Sequence, residues 1–129
     1  MTLTTVKALT FDTGGTILDW HTGFSRALKN TGTKYGMDKD WGHLANELRR
    51  RSLKIVLNQG KHEIPEHTFD DAHRIALDQI LTEQGLSHTT DEERREIWWD
   101  AAHHFKAWPD FPPILPKLRR RFICASFTI

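Results

Sequence analysis

Apolar and polar positions divide this chain into strand-like ends and a helical middle. Val6, Ala8, Leu9 and Phe11 read as a short strand, which hands Asp12 to a turn built from Gly14, Gly15 and Thr16. Asp19-Trp20-His21-Thr22-Gly23 reads as a turn, followed by a helix with Phe24, Ala27 and Leu28 on one face, ended by Asn30-Thr31-Gly32. Tyr35-Gly36 marks a second break. Leu44, Leu48, Ser52, Ile55 and Val56 repeat at helical spacing from Trp41 to Leu57, and Asn58-Gln59-Gly60 supplies a stop. Lys61 to Thr68 contains Pro65 and reads as a loop. The clearest helix runs from Phe69 to Gln84, with Ala72, Ile75, Ala76 and Ile80 in its stripe and Gly85 at its end. Thr90 and Glu93 form a capping-box pattern at the start of another helix, which carries Ile97, Trp98, Ala101, Ala102 and Phe105. Three prolines in 108–113 exclude regular helix, a short helix follows over 114–120, and 121–129 returns to β-rich character.

This order poses a problem of packing. Two strands at the ends of a helical chain can pair only with each other, and a two-stranded sheet makes a weak core with exposed edges. An α/β sheet with chemistry at a strand end ordinarily continues for several strands. The C-terminus therefore reads as the middle of a domain, with association between copies through the sheet edges expected.

Composition narrows the functional classes. The 129 residues suit one modest domain, and a net charge of +1 gives no global attraction to nucleic acid or an acidic membrane. No apolar run approaches the roughly 20 residues that span a bilayer, and no secretory leader is read at the N-terminus. Cys124 is the single cysteine, which excludes an internal disulfide and fits a reducing, cytoplasmic setting. Inside a strand it reads as an apolar filler.

Asp12 is the candidate for chemistry. A carboxylate just beyond the carboxyl end of a strand, followed by glycines and a hydroxyl, can act as a nucleophile; an Asp-Gly turn of purely structural use has the same local pattern. The other polar clusters read more blandly. Arg49-Arg50-Arg51 and Arg119-Arg120-Arg121 are solvated helix faces in a charge-balanced chain. His62-Glu63-Ile64-Pro65-Glu66-His67 has the wrong spacing for a zinc helix and a proline inside it, so no metal site is assigned. Trp98, Trp99 and Trp108 read as packing residues.

With these residues in place, the chain resembles the haloacid dehalogenase superfamily, type II 2-haloacid dehalogenase-like, over its N-terminal portion. Phe11-Asp12-Thr13-Gly14-Gly15-Thr16 is similar to the family's first motif, where a strand ends in Asp-x-x-Gly-Thr. The similarity continues through Ala45-Asn46-Glu47-Leu48-Arg49, Asp71-Ala72-His73-Arg74, Trp108-Pro109-Asp110 and the Arg121-to-Thr128 segment. The fold class implied is α/β: a partial Rossmann-like core with its first two strands and an inserted α-helical cap. Residues 1–19 would be the first core strand and nucleophile loop, 20–106 the helical cap, and 107–129 the return to the core and its second strand, truncated at its end.

The resemblance also implies a reaction. Asp12 would attack a small 2-haloacid or similar carboxylate, forming an ester that water hydrolyses, with no cofactor. Thr16 would orient the carboxylate, and Gly14, Gly15 and Ser126 would bind substrate beside it. Thr128, or Ser126 if the register differs, would be the second-motif hydroxyl, and Arg49 would contact halide or substrate carboxylate from the cap. Three departures stand against full activity. Gly14 occupies the place where the superfamily's phosphatases carry a second aspartate, which weakens the magnesium-dependent phosphatase alternative. Ile129 stands where dehalogenases have asparagine. The family's third-motif lysine and fourth-motif acidic region would lie beyond residue 129, and no lysine here stands at a matching place, Lys117 preceding the second strand. The expectation is a weakly active or inactive dehalogenase-like hydrolase, with a non-catalytic interaction module as the remaining reading.

Overall fold

The computed structural model describes residues 3–57 and 66–128. The helix stop at Asn58-Gln59-Gly60, Pro65, the His62-Glu63 pair and Ile129 lie outside them. The chain divides into two compact units, Met1–Trp20 with Phe105–Ile129, and His21–His104.

In the strand-bearing unit, β1 (Ala8–Phe11) pairs in parallel with β2 (Ile123–Ser126), Ala8 opposite Ile123 and Phe11 opposite Ser126. Parallel neighbours require a crossover connection, and here everything between the two strands in sequence serves as one. Hydrogen bonds from Ile123 N to Lys7 O (2.9 Å) and from Phe127 N to Phe11 O (2.8 Å) extend the ladder by one step at each end. Both strands are shorter than their β-rich runs. A short helix, α5 (Leu115–Arg119), starts with Pro116 in its first turn, where a missing N–H costs nothing. Ahead of it Phe111 meets Phe11 edge-on, with ring centroids 5.4 Å apart. Among the described residues none in this unit is fully buried.

The helical unit holds the core. Its helices are α1 (Trp20–Lys34), α2 (Trp41–Val56), α3 (Phe69–Glu83) and α4 (Asp91–Arg95), the last running into a π-helical stretch, Glu96–Ala101. Phe24, Leu28, Leu48, Ala72, Leu77, Ile80, Leu81 and Ile97 are all buried, in keeping with the apolar stripes of the sequence. Arg51 reaches from α2 to α3 and makes a forked pair with Glu83, at 2.8 and 2.7 Å.

Two expectations need correction. The first helix does not begin after Gly23 or stop at Gly32; it spans Trp20–Lys34. Gly32 is a packing residue there, since a Cβ would fall 2.0 Å from Trp41 Cη2. The chain turns instead at Gly36, with φ of +68°. The helix opened by Thr90 is not uniformly α-helical either. Its capping box forms, with Glu93 N donating to Thr90 Oγ1 (3.2 Å) and Thr90 N donating to Glu93 Oε2 (3.0 Å), but the wider π spacing takes over at Glu96.

Candidate active site

The loop after β1 closes on itself through its backbone. Ile17 N and Leu18 N both donate to Thr13 O, at 3.1 and 3.0 Å, and Gly15 N donates to Leu18 O at 3.1 Å. Gly15 has φ of +100°, and a Cβ there would lie 2.9 Å from Trp20 Nε1. Glycine is therefore required twice over, by the left-handed backbone and by the indole beside it.

Hydroxyl groups surround the carboxylate carried by this loop. Thr16 Oγ1 donates to Asp12 Oδ2 at 2.5 Å, and Thr128 Oγ1 donates to Asp12 Oδ1 at 3.3 Å. Gly14 N lies 3.4 Å from Thr128 Oγ1, so the same hydroxyl faces both the loop backbone and the carboxylate. Ser126 sits two residues earlier and takes a different partner, its Oγ lying 2.5 Å from Thr13 Oγ1. Of the two second-motif candidates, Thr128 is the one that faces Asp12. Ser126 instead ties the loop to β2. Asp12, Thr16, Ser126 and Thr128 are all exposed. The arrangement can orient a carboxylate toward an incoming electrophile, in surroundings that remain hydrated.

Trp108 contributes here in a way that the sequence pattern did not reveal. Its indole Nε1 donates to the Gly15 carbonyl at 2.9 Å, and its backbone N–H donates to Ile17 O at 2.8 Å. The only signal was its place in Trp-Pro-Asp, and an aromatic residue at a chain re-entry reads first as packing.

Arg49 belongs to the helical unit, on α2, with its guanidinium carbon 5.2 Å from the centroid of the Phe69 ring. One turn into α3, His73 is buried between aromatic rings, 5.1 Å from Phe24 and 5.5 Å from Phe69 by centroids. Neither ring nitrogen has a hydrogen-bond partner among the described residues. Burial lowers its pKa to about 4, Arg49 and His103 push the same way, and Asp70 opposes them. Beside it His103 Nε2 pairs with Asp70 Oδ1 at 2.9 Å and stacks on Trp99 at 4.0 Å. No group of three or more potential metal ligands occurs among the described residues.

No protein-family model and no curated protein matches the chain. Solved structures do. A defluorinating L-2-haloacid dehalogenase superposes with a TM-score of 0.78 at 29% identity, covering 95% of this chain and 51% of its own. A second L-2-haloacid dehalogenase gives 0.76 at 20% identity over 95% of this chain and 52% of its own. The L-2-haloacid dehalogenase from Xanthobacter autotrophicus with chloropropionic acid covalently bound gives 0.70 at 17%, covering 95% of this chain and 46% of its own. The chain thus spans about half the length of the structures it matches. Over that span it has the haloacid dehalogenase fold, an α/β core with a helical cap.

Proposed function

We propose that this chain, carrying the core-and-cap fold of the haloacid dehalogenases, belongs to a hydrolase that cleaves the carbon–halogen bond of a small 2-haloacid through Asp12. The observation that carries this reading is the Asp12 carboxylate at the end of β1, with the Thr16 and Thr128 hydroxyls on its two oxygens. A carboxylate oxygen displaces halide from C2, the halide leaves with the bonding pair, and an aspartyl ester remains. Water then attacks the ester carbonyl and releases a 2-hydroxy acid, a proton and the restored carboxylate. Thr16 holds the nucleophile's direction, Thr128 is placed to follow a substrate carboxylate or the reacting oxygen, and Gly14, Gly15 and Ser126 shape and anchor the loop. Arg49 is assigned to the halide or substrate carboxylate. Gly14 offers no second carboxylate to protonate a leaving group, which disfavours phosphate-ester hydrolysis. The single cysteine suits a cytoplasmic setting.

An exposed carboxylate is hydrated, and hydrogen bonds to it act in high dielectric, so the reaction in this chain is expected to be slow. The test is incubation with 2-chloropropionate, followed by mass spectrometry of the peptide containing Asp12. We expect a slowly accumulating ester on Asp12 with matching chloride release, and neither in Asp12→Asn. Chloride release that survives Asp12→Asn, or no adduct and no chloride from a folded chain, would sink the reading.

A further inference from the structure

Segment 106–108 runs against the nucleophile loop. Asp19 N donates to Lys106 O at 2.8 Å, Ala107 forms an antiparallel bridge with Leu18, and Trp108 N donates to Ile17 O at 2.8 Å. These bonds align two stretches of backbone, and any residue other than proline could supply the one at Trp108. The side chain adds a further donor. Its Nε1–H extends past the paired backbone to the Gly15 carbonyl, 2.9 Å away.

That carbonyl belongs to the peptide group joining Gly15 to Thr16, and Thr16 Oγ1 bonds Asp12 Oδ2 at 2.5 Å. Gly15 is also the loop residue with the permissive backbone, at φ of +100°. Without an external anchor, a glycine peptide can rotate at little steric cost, and rotation here would carry the Thr16 hydroxyl off the carboxylate. Trp108 as a residue is 40% exposed. A tryptophan kept for packing alone gains by being buried, whereas this one stays at the surface and directs its N–H at one carbonyl.

We propose that Trp108 is a positioning residue for Asp12: its indole N–H fixes the Gly15–Thr16 peptide plane, and through Thr16 the direction of the carboxylate. The proposal rests on Asp12 being the nucleophile, but its test does not depend on turnover.

Amide hydrogen exchange is measured by NMR on the wild-type chain and on Trp108→Phe, which keeps an aromatic ring and removes the donor. Exchange at Gly15, Ile17 and Leu18, whose N–H groups donate within the loop, should accelerate about tenfold, while Thr10 in β1 stays unchanged. In parallel, the rate of ester formation on Asp12 from 2-chloropropionate should fall about ten- to a hundredfold at saturation, with half-saturation unchanged, as expected when alignment and not binding is lost. Unchanged exchange at Gly15, Ile17 and Leu18, or a loss carried by half-saturation alone, overturns the proposal. If the wild type forms no ester, the nucleophile reading fails by itself and the exchange result still decides the latch. If Trp108→Phe does not fold, the wild-type indole N–H decides: slow exchange supports the bond, and exchange as fast as that of free tryptophan overturns it.

Discussion

His73 is 4% exposed and lies between two aromatic rings, facing Arg49 from α2, Asp70 from α3 and His103 from the segment after α4. Its pKa is lowered from 6.5 to about 4, so at neutral pH the ring is uncharged in the folded chain. The unfolded chain binds the proton more readily. Stability from this group is therefore complete above about pH 6.5 and is lost as the pH falls toward 4, by on the order of 3 kcal/mol across the window. Urea unfolding at pH 7 and at pH 4.5 should show this loss in the wild type and a much smaller one in His73→Leu, whose side chain cannot take a proton. An equal loss in both chains would remove His73 as the cause. Glycines divide by mechanism at the same scale. Gly32→Ala drives a methyl group into the Trp41 ring, and we expect it to cost about 1–3 kcal/mol or more in thermal melts, because a packed indole has little room to give. In sequence Gly32 resembled a helix stop, and only the place of Trp41 shows otherwise. A single chain carries no sign of which glycine ends a helix and which lets another side chain approach.

Helices α2 and α3 were legible because each carries one apolar stripe and no interior breaker, so local propensity and burial agree. The Thr90–Glu93 box was legible for the same reason: it is a local rule needing no tertiary partner. The equivalent box at Thr68 and Asp71 is less legible because Asp replaces the usual Glu or Gln at the third helical position, although its bonds form at 3.2 and 3.1 Å. The π stretch at Glu96–Ala101 had no local signature, since the residues there are compatible with ordinary helix. Within it Ile97 is buried, followed directly by Trp98 and Trp99. The caps differ in what depends on them. Thr90 starts a five-residue α-helix with no buried residue of its own, and its partner Glu93 also accepts a 2.5 Å hydrogen bond from Tyr35. We expect Thr90→Ala to lower stability by about 1 kcal/mol, readable as a shifted urea midpoint with an unchanged slope. Thr90→Ser should restore most of it, because the serine hydroxyl accepts the same N–H.

Across the whole molecule, the candidate site was legible at Asp12 because a strand, a carboxylate and a glycine turn are adjacent in sequence. It was less legible at Thr128 and Trp108, which reach the loop only through the fold, at separations of 116 and 93 residues along the chain. The packing problem read from the order of elements is also visible in the structure. Every fully buried side chain among the described residues lies in the helical unit, while Ile123 and Phe127 are 69% and 78% exposed beside the two-stranded sheet. A parallel pair of four-residue strands buries too little apolar surface to offset the entropy of ordering the chain around it, whereas the helices share a continuous apolar interior. The two units should therefore open at different free energies. In native-state hydrogen exchange, the amides of Leu48 in α2 and Leu77 in α3 should open only with global unfolding. Those of Thr10 and Ala125 should exchange through a smaller opening that leaves the helices intact. We expect copies of the chain to associate through this exposed apolar pair, so that replacing Ile123 by Lys and Phe127 by Ser reduces association in sedimentation velocity while leaving helical melting unchanged, both residues lying in the strand-bearing unit. Matching exchange energies for Thr10 and Leu77 would instead mean that the sheet folds as one cooperative body with the helices, and that the exposed apolar pair is not its weak point.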